Sequence, residues 1–371
     1  MEKKTEQRIE DMAYEYWFAG IKNLSTRKKN LIREHMKTGR AVYYIEETKI
    51  NKLPFLDERD RKVLLEAKHD KNIQESYKIL EEKEIRFVPW FAPEYPERLL
   101  ELPDFPYALY VKGSLPSPDG KKAAIVGARK CTPYGEKYAL EFGCELARAG
   151  VEIISGLARG IDGMGQRGAL IGRGKTFAVL GCGVDICYPR EHIGLYSDIL
   201  EQGGGILSEL LPGTPPLSQH FPARNRIISG LADAVLVIEA RERSGSLITA
   251  DQALDQGRDV FALPGPINSP LSAGCNQLIR QGAGLLISPE MLLEEWNLPC
   301  QSVGRKEPEN KKMLESREKL VYSRLGLYPK NVDQLVGETD MEVRELMSLL
   351  VSLELKGYIR EISKNYYISV Q

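Results

Sequence analysis

The feature that most narrows the fold is a rhythm. Between Lys121 and Trp296 seven short apolar runs recur: Ala123–Val126, Val151–Ile154, Thr176–Leu180, Gly205–Leu207, Ala234–Ile238, Val260–Leu263 and Leu285–Ile287. Helix-patterned segments separate them. Short, continuous apolar strands alternating with helices predict a mostly parallel sheet covered on both faces, a doubly wound α/β domain over residues 121–298. In such a sheet the loops after the strands meet at the carboxyl edge, where anionic ligands bind.

Those loops are rich in glycine and arginine. After the first strand come Gly127, Ala128, Arg129 and Lys130; after the second, Ser155, Gly156, Arg159 and Gly160; after the third, Gly181, Gly183 and then Tyr188-Pro189-Arg190. Further on lie Phe221, Arg224, Asn225 and Arg226, then Ser244, Gly245 and Ser246, and last Pro264-Gly265. Glycines let backbone N–H groups approach an anion, helix N-termini add partial positive charge, and arginine grips phosphate bidentately. Several phosphate-sized sites along one edge suit a polymer better than a mononucleotide. Phe221 beside two arginines is a candidate base-stacking platform. Each residue has a plainer reading: a tight βα turn for any one glycine, core for Phe221, a helix cap for Asn225, caps or loop orienters for Asp162 and Asp185. The functional case rests on their meeting at one edge.

Two motifs are set aside. Gly163, Gly165 and Gly168 match the dinucleotide fingerprint, but they follow Ile161-Asp162, where the chain is expected to be helical, rather than the turn straight after a strand. Ala169–Thr176 nearly matches a phosphate-binding P-loop, but Lys175-Thr176 precedes a strand instead of opening a helix.

Bulk properties exclude other classes. The 371 residues suffice for two or three domains, and no apolar stretch is long enough to span a bilayer. The start MEKKTEQRIE is not a signal peptide, so a cytoplasmic chain without membrane attachment is expected. Six scattered cysteines without a CxxC predict reduced thiols and no zinc site, and four histidines without ligand spacing predict no metal centre. No cofactor and no catalytic residue is assigned. A net charge of −1 means that any anion site is local.

Around the α/β domain the chain divides further. Residues 1–70 read as a small helical module, in which Lys28, Lys29 and Arg33 are candidates for phosphate contact against the plainer reading of a solvated helix face. Residues 71–120 are a connector, an ordered strap of aromatics and prolines with a short strand at Ala108–Lys112. Residues 299–312 are a polar linker, and residues 313–371 predict a winged helix, three helices followed by a hairpin. Thr339 or Asp340 is expected to cap its third helix. That helix carries Arg344 among Glu342, Glu345 and Glu354, which argues for protein contact or structure rather than duplex reading.

Taken in order, the loops resemble the DprA/Smf family of DNA-processing proteins. The resemblance is carried by IVGAR (Ile125–Arg129), SGLARGID (Ser155–Asp162), GCGVDICYPRE (Gly181–Glu191), SEL (Ser208–Leu210), FPARNRIISGL (Phe221–Leu231), VIEARERSGSLITADQAL (Val237–Leu254), GRDVFALPG (Gly257–Gly265) and GCNQLIRQGA (Gly274–Ala283), with a lead-in at Tyr95–Gly113. It implies an extended Rossmann-like domain that binds single-stranded DNA, with flanking sterile-alpha-motif-like and winged-helix domains. It also implies loading of the RecA recombinase in natural transformation, and a homodimer formed through the segment near Cys275–Leu286. By analogy Arg129, Phe221 and Arg224–Arg226 line the DNA pocket. The sequence departs from the family at Gly165 and Gln166, where an Ala-His pair is usual, and at Cys182, where a small hydroxyl residue is common.

The leading expectation is a sequence-tolerant, non-enzymatic single-strand binder. The alternative is a Rossmann-like nucleotide phosphoribohydrolase of the lysine-decarboxylase-like type, with Glu239 or Asp162 near the sugar, although its PGGxGTxxE string is absent. A third reading is a duplex-specific regulator acting through the winged helix.

Overall fold

The computed structural model describes residues 2–69, 72–299, 316–325, 329–363 and 365–369. Residues 1–300 form one compact unit and 301–371 a second. The expected linker, beyond Pro299, lies outside the described residues.

The first unit opens with six helices: α1 (Glu2–Ala19), α2 (Thr26–Met36), α3 (Gly39–Tyr44), α4 (Glu47–Ile50), α5 (Glu58–Ala67) and α6 (Ile73–Glu82). Capping sets several boundaries. Ser25 accepts from Lys28 N–H at the start of α2, and Asp57 and Asp60 form a reciprocal capping box on α5. The lysines expected on a solvated or phosphate-binding face are otherwise engaged. Lys28 pairs with Asp57 and Asp60, Lys29 is buried against the Ala19 carbonyl, and Arg33 pairs with buried Glu15.

Nine strands follow in one sheet: β1 (Arg86–Pro89), β2 (Ala108–Gly113), β3 (Lys122–Val126), β4 (Glu152–Ser155), β5 (Thr176–Val179), β6 (Gly205–Ser208), β7 (Ala234–Val237), β8 (Asp259–Ala262) and β9 (Gly284–Leu285). Their order is β1-β2-β6-β5-β4-β3-β7-β8-β9. The seven from β6 to β9 run parallel, while β2 pairs antiparallel with both β1 and β6. Strand β1 is absent from the sequence reading. It makes the connector part of the sheet, and β1 and β2 cover an edge that β6 would otherwise leave open. Every residue of β3, β5, β6 and β7 is buried, as continuous apolar runs require.

The covering helices are α7 (Pro133–Arg148), α8 (Ile161–Ile171), α9 (Ile193–Glu201), α10 (His220–Leu231), α11 (Gly245–Asp255), α12 (Ala273–Arg280) and α13 (Pro289–Glu295). The Gly163/Gly165/Gly168 triplet lies inside α8. A Cβ on Gly168 would sit 2.2 Å from the Leu140 carbonyl of α7, and one on Gly165 2.8 Å from Ile125. These glycines let α8 pack closely on its neighbours; they are not a dinucleotide turn.

The second unit contains α14 (Ser316–Arg324), β10 (Lys330–Asn331), α15 (Val332–Thr339), α16 (Val343–Leu355), β11 (Ile359–Ser363) and β12 (Tyr366–Ser369). Strand β12 pairs antiparallel with β10 and β11, and Leu335, Leu346, Leu350, Leu353 and Ile359 fill the core. The third helix does not start at Thr339 or Asp340. Thr339 ends α15, Asp340 turns left-handed (φ 55°), and Glu342 holds the cap position of α16. Among the described residues no helix is long and apolar enough to cross a membrane.

Candidate nucleic-acid interface

The sheet order reverses at β3: β4, β5 and β6 lie on one side, β7, β8 and β9 on the other. At such a switch point two successive loops part and leave a crevice beyond the carboxyl ends of the strands. A cavity of about 560 Å³ opens there.

The loop after β3 is locked to the segments after β7 and β4. Ala128 N–H donates to the Glu239 carbonyl (2.7 Å), and Ile161 N–H donates to the Ala128 carbonyl (3.2 Å). Gly127 is required by close approach, since a Cβ there would lie 2.7 Å from Ile161 and 2.9 Å from the Glu239 carbonyl. The left-handed Gly160 (φ 69°) passes the Ala128 carbonyl in the same way. Arg129 leaves this locked turn exposed to solvent at the cavity wall.

Helix α10 supplies the opposite wall. Phe221, Arg224, Asn225 and Ile228, spaced i, i+3, i+4, i+7, all line the cavity, so one face of the helix is devoted to it. The Phe221 ring rests on Gly181, the Tyr188 ring lies 5.7 Å from it at 33°, and the Arg129 guanidinium stands over it at 5.2 Å. The aromatic surface is therefore composite, with Phe221 carrying Arg129 and Tyr188.

Arg224 forms the floor. It is 5 % exposed, donates to the Gly156 carbonyl (2.9 Å) and to that of Val179, and has buried Asp162 beside it. Burial pulls its guanidinium down to about 10, and Asp162 opposes the shift. The Asp162 carboxyl is raised by its own burial, against the pull of Arg224 and of the Gly156 N–H it accepts (3.1 Å). The third wall is the start of α11. Ser244 and Ser246 share a hydroxyl–hydroxyl bond of 2.6 Å, and Ser244 does not cap its own helix. The Gly245 and Ser246 amides precede the first backbone bond of α11, from Leu247 N–H to the Ser244 carbonyl (3.1 Å), and offer a partial positive charge to the cavity.

Of the residues singled out in the sequence, the cavity gathers Gly127, Ala128, Arg129, Phe221, Arg224, Asn225, Ser244, Gly245 and Ser246. Others serve the fold. Ser155 is wholly buried and donates to the Ile125 carbonyl (2.6 Å). Gly156 is buried against Arg224 and Asp162, while Gly160 and Gly183 make close turns. Gly181 supports Phe221 from behind, and Gly265 is tied to Asn276 through both its N–H and its carbonyl. Arg159 is exposed but bidentate to Glu191. Arg226 points away, with Nε 2.8 Å from Asp104 and Nη2 2.6 Å from Glu209, so it does not face a strand in the cavity. The helical period was the available signal: Arg226 is i+5 from Phe221 and off the lining face. Tyr188, which the sequence places in the loop after the third strand without a role, also lines the cavity, as do Pro216 and Ser218, which were not assigned from the sequence.

The carboxylates of the phosphoribohydrolase reading are already occupied. Glu239 accepts from Thr132 N–H (2.8 Å) and hydroxyl (2.5 Å), and Asp162 holds the Gly156 turn. Among the described residues no group of three His, Cys, Asp or Glu side chains is placed to hold a metal ion, and Cys131, Cys144, Cys182, Cys187 and Cys275 are free thiols.

An arginine stacked on an aromatic ring, with a helix N-terminus lining the same open cavity at a switch point, has the chemistry to hold phosphate and ring together. This is a site of the nucleotide- or strand-binding class. Comparison with known proteins gives the family. Residues 86–297 match the model of DNA recombination-mediator protein A, and residues 305–363 that of the DprA winged helix domain. Protein Smf of Escherichia coli is 41 % identical over 302 residues, 80 % of each chain, and DNA processing protein DprA of Bacillus subtilis is 42 % identical over 228 residues, covering 61 % of this chain and 76 % of the relative. The chain belongs to the DprA/Smf family. Among solved structures, DNA processing protein A of Streptococcus pneumoniae superposes with a TM-score of 0.67 at 36 % identity, over 76 % of this chain and 97 % of that one. DNA processing protein A of Helicobacter pylori, described for its single-stranded DNA binding mode, gives 0.52 at 30 % identity, over 58 % and 96 %.

Proposed function

We propose that the switch-point cavity binds single-stranded DNA without reading its sequence, and that the chain delivers RecA onto that DNA during DNA uptake. The observation that carries the reading is the composite wall of Arg129, Phe221 and Tyr188 opposite the α11 N-terminus. A strand needs a phosphate contact and a stacking surface in register, and every base offers a π-face, so such a site tolerates any sequence. The Helicobacter pylori relative, described as a single-strand binder, supports the same assignment. The recombination-mediator family supports the RecA role.

Photo-crosslinking tests the site. A single strand carrying 5-iododeoxyuridine should form adducts on the peptides containing Tyr188 or Phe221. Adducts confined to the winged helix would contradict it. The RecA role predicts faster RecA nucleation on single-stranded DNA precoated with single-strand-binding protein; an unchanged lag would remove it.

We further propose self-association through the end of the sheet. Strand β9 is its last strand, and Leu285, Ile287 and Leu254 are exposed near it. Leu285→Glu should convert a dimer into a monomer in sedimentation equilibrium, and a wild-type chain that sediments as a monomer refutes the proposal.

A further inference from the structure

Helix α10 brings one face to the cavity and is held by the other. Arg226, on the far face, has a nearly buried side chain (10 % exposed) between two carboxylates from distant parts of the chain. Glu209 follows the end of β6 and is itself largely buried; Asp104 belongs to the strap between β1 and β2. The strap is anchored in turn. Asn30 of α2 donates to the Phe105 carbonyl (3.0 Å), and the Tyr95 hydroxyl donates to that of Pro106 (2.8 Å). Arg226 Nη1 has no hydrogen-bond partner, so the guanidinium is held by the two carboxylates.

We propose that Arg226 is a positioning residue: clamped by Glu209 and Asp104, it sets the rotation at which α10 presents Phe221 and Asn225 to the cavity. The proposal rests on the strand-binding reading and deepens it. A buried guanidinium between two carboxylates is strongly directional; losing Glu209, the largely buried partner, leaves charge unbalanced in a nearly dry place, whereas Asp104, with its side chain 56 % exposed, is the solvated half of the clamp. On the cavity face Arg224 ties α10 to the Gly156 and Val179 carbonyls; the Arg226 clamp holds the far face of the same helix, while Phe221 packs on a glycine. The clamp also ties the N-terminal helices to the site through Asn30 and the strap.

The test uses the full chain and a fluorescein-labelled poly-dT oligonucleotide. Glu209→Gln makes the protein more positive by one unit. If Arg226 gripped phosphate, releasing it in this way would tighten binding. The clamp predicts the reverse. E209Q and R226Q each weaken binding roughly tenfold, and the double variant is no worse than the weaker single, as for residues acting as a unit. The slope of log affinity against log salt stays at the wild-type value, whereas Arg129→Ala lowers it. Without DNA, amide exchange over residues 220–231 accelerates in both single variants. Should R226Q fail to fold, E209Q and Asp104→Asn carry the same comparison. Wild-type affinity with wild-type exchange, or tighter binding by E209Q, overturns the clamp. Failure of the strand-binding reading looks different: the wild-type chain binds no oligonucleotide, and the exchange data alone then decide whether the clamp holds α10.

Discussion

The Arg129 guanidinium stands over the Phe221 ring, 5.2 Å from its centroid, although the two residues come from opposite walls of the cavity. The group suited to phosphate and the group suited to a base are thus one physical unit.

That contact makes the two residues non-additive. Phe221→Ala removes the support under Arg129 and Tyr188 and should cost about 1–3 kcal/mol of single-strand affinity. Adding Arg129→Ala should cost less in this background than in the wild type. A double-mutant cycle on dissociation constants measures the difference; strict additivity would show that the ring and the guanidinium act separately.

Arg129 is exposed and meets phosphate directly in this account. Arg129→Ala should therefore lower the salt slope of single-strand binding by about 0.7, one phosphate contact. Arg159→Ala should leave it nearly unchanged, because that side chain is already bidentate to Glu191. A salt titration by fluorescence anisotropy separates the two.

The glycines of α8 predict a stability effect away from the DNA. Gly168→Ala places a methyl group 2.2 Å from the Leu140 carbonyl, a contact that only backbone movement relieves. It should destabilise the first unit by at least about 2 kcal/mol, and thermal denaturation should show a fall of several degrees. An unchanged Tm would mean that α7 and α8 are more loosely apposed than described.

Lys29 predicts a pH dependence. Burial lowers its ammonium to about 8 in the folded chain, from an ordinary value of 10.5. Between those values the unfolded chain holds a proton that the folded one has released, so stability rises with pH through this window. Below pH 8 the full cost of the buried charge is present, about 3 kcal/mol at most. Lys29→Met should flatten the rise and be more stable than wild type at pH 7. Urea denaturation of both proteins from pH 7 to 10.5 reads it, and parallel curves would place the ammonium in contact with water.

Much of this was legible in the sequence because parallel strands buried on both faces announce themselves as continuous apolar runs. Strand β1 did not, since it is four residues long, ends in Pro89 and pairs antiparallel at the margin of the sheet. The site was legible as a set of loops but not residue by residue. Arg224 and Arg226 look alike in a linear string. Only the helical phase separates them, and the partners of Arg226 lie 122 and 17 positions away. Ser155, Gly156 and Gly160 sit in the right loops for a different reason: they hold those loops together. Tyr188 and Gly181, both from the loop after β5, meet Phe221 of α10, a relation between a loop and a distant helix that no local pattern contains.

The central claim is that the switch-point cavity holds single-stranded DNA through the Arg129–Phe221 wall. Its most direct measurement is competition anisotropy, with the full chain bound to a labelled single strand and challenged by unlabelled single strand or duplex of the same sequence. Single strand should displace the label far better than duplex, and the folded Arg129→Ala/Phe221→Ala variant should lose most of its affinity. Equal competition by duplex, or a folded double variant that binds like the wild type, would contradict it.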